Sequence, residues 1–158
     1  MNKKQKNLTN NGFSLVELII VIAIMAVLIG VLAPQYLKYV ESSRLQKDNQ
    51  AISEIANAVK IAMADETINS STTSPATIAP TSGTYTFSAS STDALVKELS
   101  TVVGENVKLT SNTYTATGAT APTITVTKET SGVVKVTAVG YVSKIGATAS
   151  TSANPQVF

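Results

Sequence analysis

Twenty consecutive residues, Leu18 to Leu37, carry no charge, and this run limits what the chain can become more than any other feature. A helix of that length rises about 1.5 Å per residue and measures roughly 30 Å, the hydrocarbon thickness of a bilayer. Eleven of its residues are Leu, Ile or Val lying before Ala33. At about 0.3 to 0.6 kcal/mol each they favour insertion by roughly 3 to 7 kcal/mol in sum. Glu17 stands at the edge of the run, where an acid costs less than the roughly 2.5 to 3.5 kcal/mol it costs at mid-membrane. The segment is expected to span a membrane.

Composition narrows the remainder. A chain of 158 residues, 44% apolar and 14% charged, has room for one modest domain beside such a span. It contains no Cys and no His, which removes disulfide frameworks, thiolate nucleophiles, Ser-His-Asp triads and the usual zinc ligand sets. Twelve Lys and Arg stand against ten Asp and Glu, scattered along the chain, so the overall balance carries no basic nucleic-acid footprint. The acids Glu41, Asp48, Glu54, Asp65, Glu66, Asp93, Glu98, Glu105 and Glu129 follow no calcium-loop spacing and form no obvious convergent pair. No catalytic residue, metal or cofactor is expected, and those acids are read as solvated.

Residues 1–12 are polar, hold Lys3, Lys4 and Lys6, and end in Asn10-Asn11-Gly12, a leader-like composition. Positive charge before an apolar run stays on the cytoplasmic side, so the chain beyond Leu37 is expected to face outward. A cleaved secretory signal has the same ingredients, but Ile29 to Ala33 offers no clean small-x-small site and the run exceeds a usual signal core.

Beyond Pro34 the apolar residues thin out but keep helical steps: Tyr36, Leu37, Val40, Leu45, Ile52, Ile55, Ala56, Val59, Ala62 and Met63. An amphipathic helix is expected to continue the membrane helix to about Ile68, roughly 84 Å from Phe13. Gly30 and Pro34 predict a bend or loosened turn between them. Arg44 and Asp48, one turn apart, read as a weak solvated pair. Asn69 to Ser91 has a loop composition with one short strand around Tyr85 and Phe87. Asp93 predicts an N-cap for a short helix bearing Leu95, Val96, Leu99, Val102 and Val103 and ending at Gly104. Strands are expected at Val107–Leu109, Tyr114–Thr117, Thr123–Lys128 and Val133–Val139, with a hairpin connection at Glu129–Gly132 and an edge strand at Tyr141–Ile145.

The fold class is therefore α+β: a long N-terminal helix, membrane-spanning and then amphipathic, packed on a small antiparallel sheet. The boundaries are a leader at 1–12, a membrane or filament-core helix at 13–37, an amphipathic half at 38–68, a connecting loop at 69–92 and a short helix with sheet at 93–158. Of the 89 residues from Ser70 onward, 33 are Ser or Thr, so the core is thin and must lean on Ile52, Ile55, Val59 and Met63.

The stretch Gly12-Phe13-Ser14-Leu15-Val16-Glu17-Leu18, followed by the apolar run and Pro34-Gln35-Tyr36, resembles the N-terminal signature of type IV prepilins. The resemblance covers about Lys3 to Tyr39. It joins a basic leader, a Gly before an aromatic residue, an acid four residues later and a Pro at the expected distance. No equivalent match covers the domain after Ile68. The missing Cys pair departs from many members and is similar to pilins of Gram-positive lineages.

The resemblance implies cleavage between Gly12 and Phe13 by a membrane prepilin peptidase, followed by methylation of the new Phe13 amine. Losing three lysines leaves nine basic against ten acidic side chains. It further implies extraction from the bilayer by a motor ATPase acting through a platform protein, and polymerisation with identical copies. Glu17 is then the partner of a neighbouring subunit's Phe13 amine, since a carboxylate among apolar helices needs a cation. The other reading is local: Ser14-x-x-Glu17 is a capping box in a first turn that favours acids. Gly30 and Pro34 are assigned to assembly, and Ala23, Ala26, Gly30 and Ala33 let helices approach closely or are simply common in membrane helices. Tyr36 and Tyr39 are expected at the membrane interface.

The resulting expectation is a non-enzymatic structural subunit, the major pilin of a type IV pilus. It begins as a single-pass membrane precursor and ends in a cell-surface filament for adhesion, motility or aggregation. A minor pilin, a pseudopilin of a secretion or DNA-uptake machine, and a membrane-anchored binding module are the alternatives.

Overall fold

Seven apolar residues at helical spacing, Leu45, Ile52, Ile55, Ala56, Val59, Ala62 and Met63, are buried as their pattern predicts. The computed structural model describes residues 12–72, 74–151 and 154–158. The basic leader expected at 1–12 lies, apart from Gly12, outside the described residues. The chain divides into two units, one reaching Lys38 and one running from Tyr39 to Phe158. Helix α1, Leu15–Ala62, contributes to both and is helical through Gly30 and Pro34. The expected loosening there does not break it, since one proline removes a single backbone donor from a long ladder.

α1 ends at Ala62, short of the expected Ile68. Ala64 N donates to Ile61 O and Asp65 N to Ala62 O, both at 3.1 Å, tightening the last turn to three-residue spacing. Asp65 then leaves the helical region and caps a separate helix α2, Glu66–Ser71, accepting from Thr67 N at 2.8 Å and Ile68 N at 3.4 Å. An aspartate that can satisfy free helix donors competes with continuation of the helix before it.

Strand β1, Ala76–Ile78, lies inside the expected connecting loop. It pairs antiparallel with β4, Thr123–Lys128, which forms a hairpin with β5, Val134–Val139, and β5 pairs with β6, Gln156–Val157. The four-stranded order is β1-β4-β5-β6. Gly132, at φ 83, makes the β4–β5 turn in the left-handed region that the expected hairpin required. The register pairs Val126 with Val136 and Ile124 with Ala138. Those four side chains are buried on one face, leaving Thr125 and Thr127 to the other, as a period of two demands. A second, two-stranded sheet pairs β2, Thr84–Thr86, with β3, Asn106–Lys108. Asp93 caps α3, Ala94–Val102, as expected, accepting from Leu95 N at 2.9 Å, and Leu95 and Leu99 are buried.

One cluster joins Leu45, Ile52, Ile55 and Val59 of α1 with Tyr85, Leu99, Ile124, Val126 and Val136. The α+β class and the antiparallel sheet stand as expected. Two strand expectations do not. Tyr114–Thr117 is no strand: α4, Asn112–Thr115, forms a single helical turn capped by Ser111, whose hydroxyl accepts from Thr113 N at 3.1 Å. Tyr141–Ile145 is no edge strand either; β6 takes the edge. The amides of Tyr141 and Val142 donate instead to Ser150 Oγ and Tyr114 Oη, so side chains occupy the donors a ladder would need.

Candidate functional site

Every residue from Gly12 to Tyr39 is exposed. Phe13, at 90%, leads a segment in which Leu18, Ile22, Val27 and Leu32 keep more than half of their surface open. A helix apolar on all sides has nothing to gain from water, so this surface belongs against lipid or against other apolar helices. α1 is the one helix among the described residues long and apolar enough to cross a membrane.

The predicted site residues fall in two groups along it. Phe13 and Ser14 immediately precede the helix and Glu17 lies in its first turn; Ser14 N donates to Glu17 Oε2 at 2.9 Å and Leu18 N donates to Ser14 O at 3.2 Å. This is the Glu-to-Ser arm of the capping box, so the local reading of Glu17 is realised in the single chain. The carboxylate remains exposed. Gly30 and Pro34 lie one turn apart, roughly 20 Å further along the axis. A Cβ on Gly30 would meet nothing within 4 Å among the described residues, so the chain's own packing does not demand glycine there. Ala23, Ile24, Val27 and Leu28 line a shallow, wholly apolar depression.

A second polar constellation lies in the unit from Tyr39 onward, and it corrects the reading of Glu41 and Asp48 as solvated. Asp48 is 2% exposed. Its carboxylate accepts from Thr110 N at 2.8 Å, Thr110 Oγ1 at 3.1 Å and Ser111 N at 2.7 Å. It is therefore no solvated partner of Arg44. Glu41 is half-buried; its Oε1 accepts from Ser111 Oγ at 2.5 Å and Thr113 N at 3.3 Å, while Oε2 is buried with no partner among the described residues. Beside them Tyr114 Oη donates to Asn49 Oδ1 at 2.7 Å and accepts from Val142 N at 2.9 Å, and Asn49 Nδ2 donates to Val142 O at 2.9 Å. Burial pushes the Tyr114 hydroxyl up to about 12, and burial raises Tyr85 further; the Tyr85 hydroxyl donates to Pro122 O at 2.5 Å.

These contacts let α1 hold two segments that have little regular structure, 110–114 and 141–142. Charged acceptors on backbone amides are worth about 1.5 to 3 kcal/mol each, more than neutral pairs. Apart from Glu41 Oε2, these polar atoms are taken up by one another, and the contacts hold the domain together. The signal for it was present in the helix register: Asp48 and Asn49 fall between Leu45 and Ile52 on the inward row, at steps of three and four.

An exposed apolar N-terminal helix opening on an aromatic residue and an acid, followed by a small α+β domain, is the arrangement of a type IV pilin-like protein. Residues 8–33 match the family described as the prokaryotic N-terminal methylation motif, and the chain is type IV pilin-like in that segment. A relative, prepilin peptidase-dependent protein A of Clostridium perfringens (strain 13 / Type A), is 35% identical over 72 residues, 46% of this chain and 51% of the relative. The chain thus spans about half the length of the curated relative it matches. No solved structure gives a significant match.

Proposed function

We propose that this chain is a prepilin, made as a single-pass membrane precursor and polymerised after processing into a type IV pilus as its major subunit. One observation carries the reading: the matched motif at 8–33 runs into the start of helix α1, whose apolar residues from Leu15 to Leu37 are all exposed among the described residues. Prepilin peptidase cuts after Gly12, where the absent side chain admits the enzyme to the backbone, and the exposed Phe13 receives a methyl group on its new amine. In the filament the apolar segment exchanges lipid for identical helices. Glu17, drawn from its contact with Ser14 N, pairs with the Phe13 amine of a neighbouring copy, because a carboxylate between apolar helices requires a cation. Gly30 and Pro34 allow close approach and local extension in that bundle. A motor ATPase and a platform protein drive assembly, and the filament serves adhesion, motility or aggregation.

Mass spectrometry of the mature N-terminus, together with electron microscopy of sheared surface material, tests this. The expected result is a subunit beginning at methylated Phe13 and dominating the sheared fibres. Subunits that still begin at Met1, or fibres in which this chain is scarce, would overturn the processing and the major-subunit assignment respectively. Glu17→Gln should leave membrane insertion intact and abolish fibres; a membrane-anchored binding module would tolerate it.

A further inference from the structure

Beside the part of α1 that follows Tyr39 lies a concavity of about 560 Å³ lined by Arg44 and Lys47 of α1, Lys108 of β3, and the hydroxyl residues Ser82, Thr110 and Thr115. Among the described residues, no carboxylate belongs to that lining. The reason is the helix register: Glu41 and Asp48, the neighbouring acids of α1, turn inward and are taken up by Ser111, Thr113 and Thr110. Arg44, Lys47 and Lys108 stay exposed. The buried network therefore turns Glu41 and Asp48 inward while Arg44 and Lys47, beside them on α1, stay outward.

Three cations converging on one hollow repel one another, and an anion of more than one charge relieves that repulsion. Arg offers a planar fork that fits an oxyanion, Lys adds point charges, and the hydroxyls add directional donors. A single carboxylate would leave most of that charge unmet. Among the described residues no aromatic ring lines the hollow to offer a platform for stacking a base. Two of the lining residues are tightly held: Ser82 sits in the left-handed region at φ 50, and a Cβ on the adjacent Gly83, at φ 75, would meet Thr115 Cγ2 at 2.9 Å.

We propose that this concavity binds a chain of two or more phosphate groups, gripped by Arg44, Lys47 and Lys108. The test is isothermal titration of the full chain in a non-ionic detergent with two probes, sodium tripolyphosphate and a short oligothymidylate. Tripolyphosphate should bind saturably and more weakly as salt is added. The Arg44→Gln/Lys108→Gln double variant should lower its affinity by about tenfold or more, with melting unchanged. Lys60→Gln, an exposed lysine of α1 outside the lining, should leave it unaltered. Oligothymidylate binding with the same dependence identifies a phosphodiester backbone as the source; binding of tripolyphosphate alone identifies a free phosphate chain. Saturable binding of neither probe, or an equal loss in Lys60→Gln, overturns the proposal.

Discussion

Leu28 and Ile52 belong to one helix and have side chains of the same size, yet Leu28 is 54% exposed and Ile52 is fully buried. The first half of α1 carries apolar residues on every side and is exposed among the described residues; the second half carries them in one stripe and is covered by α3 and the sheets. Apolar content alone thus does not say where a residue finds its cover. A stripe can be satisfied by one small domain, whereas an all-round apolar surface needs lipid or several other helices.

The sharpest way to break this contrast is to delete the same methyl groups in each half. Ile52→Ala should destabilise the unit from Tyr39 onward by about 2 to 5 kcal/mol, because it removes buried atoms and leaves a cavity. Leu28→Ala should change the same melting transition, followed by tyrosine near-ultraviolet circular dichroism in detergent, by less than about 0.5 kcal/mol. Comparable losses from the two would mean that the halves do not differ as described.

Asp48→Ala comes next. It leaves the amides of Thr110 and Ser111 without their charged acceptor, and a loss of about 2 to 3 kcal/mol is expected in the same melt. Amide exchange should rise first at 110 and 111. A substitution without effect would show that the inward acid is dispensable and that apolar packing alone holds the second half.

Tyr114→Phe should cost about 1 to 3 kcal/mol, since it strands Asn49 Oδ1 and Val142 N inside the domain. Its pH dependence follows from the burial that raises Tyr114 from 10.0 to about 12. The folded state keeps its proton where the unfolded chain releases it, so this contribution is intact below pH 10.0 and falls as pH climbs toward about 12. The wild-type protein should lose stability over that window more steeply than the Phe variant.

The smallest effect is local. The backbone amides of Thr67 and Ile68 hold the Asp65 carboxyl below its usual value of 3.8. Stabilisation of α2 is therefore present above that value and is lost as pH falls through the lowered one. Exchange at Thr67 and Ile68 should quicken in acid before the core responds, and Asp65→Ala should remove that acid sensitivity.

Particular elements explain what was legible from residues alone. The β4–β5 hairpin was readable because Thr and Val alternate on both sides of a short connection containing Gly132, and local chemistry agrees with tertiary context there. The Asp93 cap was readable for the same reason. Tyr114 was misread as part of a strand because its aromatic ring and flanking threonines favour strands in isolation. In the fold, Ser111 caps a helical turn and Asn49, 65 residues away, receives the Tyr114 hydroxyl. β1 and β6 were not legible because their short runs sit in Ser-, Thr- and Pro-rich surroundings that read as loop. Glu17's capping contact could be read from Ser14-x-x-Glu17, and its single-chain geometry follows that motif.

From residues alone came the membrane-length apolar run, the acid at its start, the helical stripe of the second half and the α+β class. All of these depend on composition and spacing within a few turns, where neighbours in sequence are neighbours in space. Only the tertiary structure decided that Asp48 and Glu41 turn inward while Arg44 and Lys47 turn outward, and that β6 rather than Tyr141–Ile145 closes the sheet. Those outcomes depend on partners 60 or more residues distant for Asp48 and Glu41, and on side chains that capture the Tyr141 and Val142 amides. No local pattern encodes whether a distant amide will arrive at a given carboxylate, because that is settled by how the whole core packs.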